Sequence, residues 1–193
     1  MIGTDPQTFP ARTRANLIAG AGLVIILLSA GSALLPLLDR LSGSRVVGAL
    51  LFVAGGVEIL AASLRKESRV PAMLAGGVTM LAGLLFLVNP VARFVPTVTI
   101  VTAWLLVRSI VLFVASRLTD GSVKLWISIA AATDFILGCV LLAGISIGTL
   151  VVTLFGPTPT LVASFAWVLA LSFVVTGLLL LEIASCEREA AES

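Results

Sequence analysis

Histidine and tyrosine are absent from the 193-residue sequence, which has only two cysteines. Without histidine, and with Cys139 and Cys186 far apart in the chain, the usual ligand sets of a protein zinc site are excluded. Charged residues are also scarce, at 11% of the chain against about 25% in an average soluble domain, whereas 59% of the residues are apolar. This composition excludes an ordinary soluble domain, a disordered chain and a nucleic-acid-binding protein, and it indicates an integral membrane protein.

Six apolar segments are long enough to cross the hydrocarbon core of a bilayer, which takes about 20 helical residues. Each is continuously apolar and lacks the alternation of a barrel strand, so each predicts a transmembrane helix. The first segment continues beyond Ala33 to Leu38, which favours a membrane span over a cleaved signal peptide. The predicted spans are 16–38, 45–64, 70–88, 96–117, 123–147 and 160–185.

An internal repeat relates these spans in pairs. Gly22 lies fourteen residues before Pro36, and Gly76 lies fourteen residues before Pro90. The even-numbered spans each contain a segment that ends in Ala-Ser, and these segments are GGVEILAAS from Gly55, RSIVLFVAS from Arg108 and GLLLLEIAS from Gly177. The sequence therefore predicts an all-α polytopic membrane protein whose six transmembrane helices form three helical hairpins in parallel repeat.

The predicted domain organisation follows from this repeat. A cytoplasmic N-terminal segment precedes a six-helix membrane domain, and a cytoplasmic C-terminal tail follows it. The segment is 1–15, the membrane domain is 16–185 with hairpins at 16–64, 70–117 and 123–185, and the tail is 186–193.

Basic residues predict the orientation, because an even number of spans puts both termini on one side. That side carries eight basic residues, namely Arg12, Arg14, Arg65, Lys66, Arg69, Arg117, Lys124 and Arg188. The opposite side carries three, namely Arg40, Arg45 and Arg93. Since lysine and arginine are enriched in cytoplasmic loops, both termini are predicted to lie in the cytoplasm.

Two segments carry a family resemblance. AGGVTMLAG, from Ala75 to Gly83, and LFVAGGVEILAA, from Leu51 to Ala62, resemble the odd-helix and even-helix signatures of the HdeD-like acid-resistance membrane proteins. The resemblance covers residues 16–185 and implies a multi-pass protein of the bacterial inner membrane, associated with acid or stress resistance. It brings no catalytic motif and no cofactor site. Arg108 departs from the repeat, because the other two copies have glycine at that position.

Glycines in the spans are candidate packing positions, because helices in a bilayer associate through close contact at small residues. Gly144 and Gly148 have a small-xxx-small spacing, which is typical of contacts within a bundle and also of helix dimers. The sequence leaves open whether that pair packs within the chain or mediates self-association. The predicted packing residues are Gly22, Gly55, Gly56, Gly76, Gly77, Gly83, Gly138, Gly144, Gly148 and Gly177.

Three ionisable residues lie inside predicted spans, where an unpaired charge is costly. Arg108 and Asp134 each lie thirteen residues from Gly121, at the turn between the fourth and fifth spans. At about 1.5 Å rise per residue they lie at the same depth, so they are predicted to form an ion pair, which Glu58 can join from the second span. Three interpretations are open: a structural salt bridge that fixes register, a proton or ion site, and a contact with another subunit or a ligand.

These features favour a membrane protein without enzymatic activity, which acts as a stress-associated or accessory protein through contacts with lipid or with other membrane proteins. The alternative is a small transporter or channel that uses Glu58, Arg108 and Asp134. An enzyme is the least favoured class, because the sequence has no histidine base and no cluster of metal ligands, and no cofactor or metal is predicted. The outer segment 147–160 is apolar for a loop, and it can lie in the interface, re-enter the membrane or meet a partner.

Overall fold

The computed structural model describes residues 10–34, 43–65, 68–88, 97–143 and 160–192. Each of the six helices in this part of the chain is long and apolar enough to cross a membrane, so the predicted fold class, an all-α protein with six spans, is confirmed. The predicted packing residues Gly144 and Gly148, and all of the outer segment except Thr160, lie outside the described residues. The helices are α1 (Ala11–Leu34), α2 (Gly43–Ser63), α3 (Arg69–Val88), α4 (Thr97–Arg117), α5 (Gly121–Leu142) and α6 (Thr160–Glu192).

The first and last helices extend beyond the predicted spans. α1 begins at Ala11, directly after Pro10, whose carbonyl oxygen accepts two backbone hydrogen bonds from the first turn. Proline suits a helix start because its φ is already helical and it has no N–H to leave unpaired. α6 continues to Glu192, and Arg14 Nη2 donates to Glu187 Oε2 at 2.6 Å across the two helices. Hydropathy locates only the apolar part of each helix, and here the polar end turns are paired with each other.

The six described helices form a closed ring in chain order. Each packs against its neighbours in the sequence, and α6 packs against α1 to close the ring. The most extensive contacts alternate round the ring and join α2 to α3, α4 to α5 and α6 to α1. The helices within each predicted hairpin make fewer contacts with each other. The closest packing therefore lies between successive repeats rather than within them.

Glycine brings α2 and α3 together at two levels. Gly55 lies against Gly76, and Gly48 lies against Gly83, so the two helix backbones meet directly. A Cβ atom on Gly55 would overlap the backbone of Met80. Gly48 was not among the predicted packing residues. The sequence feature that could have identified Gly48 is its spacing from Gly55. The two lie seven residues, or about two helical turns, apart, as do Gly76 and Gly83.

The other two close pairs also use glycine. Gly22 of α1 and Gly177 of α6 face each other, and a Cβ on Gly22 would lie 2.9 Å from the carbonyl oxygen of Gly177. Gly138 of α5 lies against the side chain of Leu106 on α4, which is a softer contact because that side chain can move.

Gly56 and Gly77 do not lie against another described helix, so their predicted packing within the bundle is wrong. A Cβ atom on either residue would meet nothing within 4 Å among the described residues. The reason is helical geometry, because at about 3.6 residues per turn consecutive side chains point about 100° apart. Where Gly55 and Gly76 face the partner helix, the residue that follows each of them turns away from it.

The polar and apolar residues are distributed as expected for a bundle in lipid. Large apolar side chains such as Leu27, Leu60 and Val88 are exposed on the outside of the ring. Several polar and charged side chains, among them Ser29, Thr79 and Arg108, are buried inside. Because lipid tails are as apolar as leucine, an apolar outer surface costs nothing in a bilayer.

One end of the ring, where α1 begins and α6 ends, is called the terminal face below. The start of α1, the end of α6 and the turns after α2 and α4 meet there. A cavity of about 230 Å³ opens at this face, and Arg65, Asp120, Cys186 and Glu187 are among its lining residues.

Candidate functional site: a buried charge cluster

The three ionisable residues singled out from the sequence meet in the interior of the ring. Arg108 is the twelfth of 21 residues in α4, Asp134 is the fourteenth of 22 in α5, and Glu58 is the sixteenth of 21 in α2. The exposed fractions of their side chains are 2%, 1% and 4%, respectively. None of the three therefore faces lipid or bulk solution.

Arg108 bridges the two carboxylates. Its Nη1 donates to Asp134 Oδ2 at 2.6 Å, and its Nη2 donates to Glu58 Oε1 at 2.9 Å. α4 packs closely against α5 but not against α2, so the guanidinium group reaches across the ring interior to contact Glu58. One long side chain thus connects helices whose backbones do not meet closely.

Two hydroxyl residues of α6 complete the cluster, and neither was predicted from the sequence. Ser172 Oγ accepts a hydrogen bond from Arg108 Nη1 at 3.0 Å and donates to Asp134 Oδ1 at 2.7 Å. Thr176 Oγ1 accepts from Arg108 Nη2 at 2.8 Å and donates to the backbone carbonyl of Ser172 at 2.8 Å. The sequence feature that could have identified them is a pair of hydroxyl residues four positions apart in an apolar helix, because that spacing places both on one face of the helix.

A tryptophan covers the cluster on the side away from the terminal face. Trp104 lies one turn before Arg108 on α4, and the guanidinium carbon of Arg108 is 6.0 Å from the centre of its ring. The indole Nε1 donates to Thr79 Oγ1 on α3 at 3.2 Å. The aromatic side chain therefore lies between α3 and the guanidinium group, on the side of the cluster away from the terminal face.

The cluster fixes how α2, α4, α5 and α6 sit relative to one another. Hydrogen bonds between ionised partners are stronger and more directional than neutral ones. A buried ion pair need not be more stable than apolar residues of the same volume. Removing one partner, however, costs roughly 3–5 kcal/mol because the other charge is stranded. A shift of one helix along its axis would break several of these bonds together.

Two carboxylates share one guanidinium group, so the fully ionised cluster carries a net charge of −1. No group of three or more acidic or cysteine side chains that could hold a metal ion occurs among the described residues. A guanidinium group between two carboxylates can hold charge and exchange protons.

Comparisons with known proteins cover part of the chain. No curated protein and no solved structure matches it. Residues 74–143 match a family described as a short repeat of unknown function (DUF308). The matched segment contains most of α3 and all of α4 and α5, and hence Arg108 and Asp134. Over these three helices the chain is similar to that short-repeat family.

Proposed function

We propose that this is a non-enzymatic protein of the bacterial inner membrane, which supports acid or stress resistance through contacts of its surface with lipid or with other membrane proteins. The observation that carries the proposal is that the buried carboxylates are engaged by Arg108 inside a closed ring. The charged groups hold the bundle together, and the outer surface remains for interactions. HdeD proteins belong to the short-repeat family that residues 74–143 match, which supports the stress-related role.

The space beside the cluster supports a non-enzymatic role. The cavity that Glu58 and Arg108 line has a volume of about 30 Å³. Small-molecule sites in proteins usually measure about 300–1,000 Å³. A substrate therefore has no room next to the buried carboxylates, although water has.

The proposal includes an orientation with both termini in the cytoplasm. The predicted topology puts eight lysine and arginine residues on the side of the termini and three on the other side, and cytoplasmic loops carry the excess of basic residues in most membrane proteins. The cavity at that face would then open to the cytoplasm.

The alternative is a small transporter or channel that uses Glu58, Arg108 and Asp134. Such a protein needs a continuous polar pathway. In this ring the guanidinium group and its partners occupy the interior near the middle of α4, and Trp104 covers them on one side. Transport would require the hydrogen bonds between Arg108 and its partners to break in each transport cycle.

Survival of a deletion strain tests the proposal. We expect the strain to survive acid challenge poorly and to recover with the wild-type gene. We also expect recovery with Glu58→Gln, which keeps an oxygen that can accept from Arg108. Normal survival of the deletion strain would contradict the stress role. Recovery with the wild-type gene but not with a well-expressed Glu58→Gln protein would favour the transporter.

Co-purification tests how the protein acts. The protein is purified in mild detergent, and the proteins and lipids that accompany it are identified. We expect a defined partner or lipid class at constant ratio, which is lost when an outward leucine such as Leu60 is replaced by alanine. Uptake of a solute by proteoliposomes that contain only this protein would instead contradict a role through contacts.

A further inference from the structure

A small cavity lies between the charge cluster and the terminal face. Its volume is about 30 Å³, and its polar lining comes from Glu58, Arg65, Arg108 and Thr176. A water molecule needs about 10–15 Å³ of such space, so the cavity accommodates about two waters.

The lining offers these waters hydrogen-bond partners that nothing else uses. The Nε atoms of Arg108 and Arg65 are buried and have no hydrogen-bond partner among the described residues. Both side chains line the cavity together with the Glu58 carboxylate and the Thr176 hydroxyl. An ordered water usually needs two to four polar partners, and an unpaired buried N–H is costly. The cavity therefore has the size for water and, within a mostly apolar lining, the polar partners that a water needs.

Arg65 lies between this cavity and the terminal face. The same side chain also lines the larger cavity at the terminal face, beside Thr119, Asp120 and Cys186. Burial lowers the pKa of Arg65 to about 10, and the nearby Glu58 charge opposes that shift. Arg65 thus stays protonated at neutral pH, and its long side chain forms the partition between the two cavities.

Glu58 is the carboxylate that this arrangement exposes to water. Asp134 receives hydrogen bonds on both oxygens, from Arg108 and from Ser172. Glu58 receives one from Arg108 and lines the inner cavity.

The other groups around Glu58 set its electrostatic surroundings. The charged groups near it are Arg65, which follows α2, Arg108 on α4 and Asp134 on α5. α3 contributes alanine and glycine there, and α6 contributes the Thr176 hydroxyl.

We infer that Glu58 binds a proton delivered by water from the terminal face. A hydronium ion in the inner cavity transfers its proton to a carboxylate oxygen of Glu58, leaving water and a carboxylic acid. The transfer changes the charge of the Glu58, Arg108 and Asp134 cluster from −1 to zero, and the positive charge of Arg65 remains at the edge of the inner cavity. The inner cavity lies on the side of the cluster towards the terminal face, and Trp104 lies on the other side. Proton binding at Glu58 is independent of the role proposed above and is measured on the purified protein.

Infrared spectroscopy of the whole protein in detergent tests the site. As pH is lowered, we expect the wild type to gain a carbonyl band of a buried carboxylic acid, which Glu58→Gln lacks. Glu182→Gln is the matched control, since Glu182 is a partly exposed glutamate of α6, and it should retain the band. The same band in Glu58→Gln and wild type would overturn the inference. So would its loss in Asp134→Asn but not in Glu58→Gln.

Labelling of the two cysteines tests whether the proton reaches Glu58 from the terminal face. Cys186 lines the outer cavity, whereas Cys139 is exposed elsewhere on α5. With Cys139→Ser, a bulky maleimide on Cys186 should slow deuterium exchange of the Glu58 carboxyl several-fold. With Cys186→Ser, the same reagent on Cys139 should leave the rate unchanged. Equal rates in both labelled proteins would overturn the route from the terminal face.

Discussion

Arg108 and Asp134 lie thirteen residues on either side of Gly121, and their side chains meet at 2.6 Å between Nη1 and Oδ2. The equal spacing from the turn puts both residues at one level of an antiparallel helix pair. The same guanidinium group reaches Glu58 and two hydroxyls on other helices. Arg108, which aligns with glycine in the other two predicted repeats, is thereby the common partner of residues on three other helices.

Close packing of α2 on α3 depends on glycine at position 55. We expect Gly55→Ala to lower the free energy of unfolding by about 1–3 kcal/mol, because the new Cβ would overlap the backbone of Met80. Gly56→Ala is the control, since its Cβ meets nothing within 4 Å. It should be neutral or stabilising by up to about 1 kcal/mol through helix propensity. Unfolding in detergent measures both variants, and equal effects would contradict the packing role.

The hydroxyl of Ser172 is expected to matter energetically although it carries no charge. Ser172→Ala removes the donor to Asp134 Oδ1 and should cost about 1–3 kcal/mol, the usual price of an unsatisfied buried polar group. Ser185→Ala is the matched control, because the exposed hydroxyl of Ser185 donates only to a backbone carbonyl of its own helix. It should change stability by less than about 0.5 kcal/mol. Thermal melts compare the two, and a larger effect at Ser185 would contradict the cluster.

Orientation is tested with the cysteine at the terminal face. In a Cys139→Ser background, Cys186 should react with a membrane-impermeant maleimide in inverted membrane vesicles and not in intact cells. The reason is that the proposed topology places the end of α6 in the cytoplasm. Labelling of Cys186 from outside intact cells would mean that the topology is reversed.

Local and nearest-neighbour features were the ones predictable from sequence. Apolar length gave the six spans, and equal distance from one turn paired Arg108 with Asp134, since both depend on helix rise alone. The position of Ser172 was not predictable in the same way. α5 and α6 were predicted to form one hairpin, but the sequence between them, 143–159, offers no single turn from which the depth of Ser172 could be counted. Which of two adjacent glycines faces a partner depends on helix rotation, so Gly56 was assigned wrongly.

The most direct measurement is a series of thermal melts in one detergent, in which the charges of the cluster are removed stepwise. Arg108→Leu strands both Asp134 and Glu58 and should cost roughly 3–5 kcal/mol. Arg108→Leu with Asp134→Leu should recover part of the loss, because Glu58 is still unpaired. Adding Glu58→Leu should recover most of the remainder, since none of the three charges of the cluster is then left. If the triple variant is instead no more stable than Arg108→Leu alone, the three residues do not act as one paired cluster.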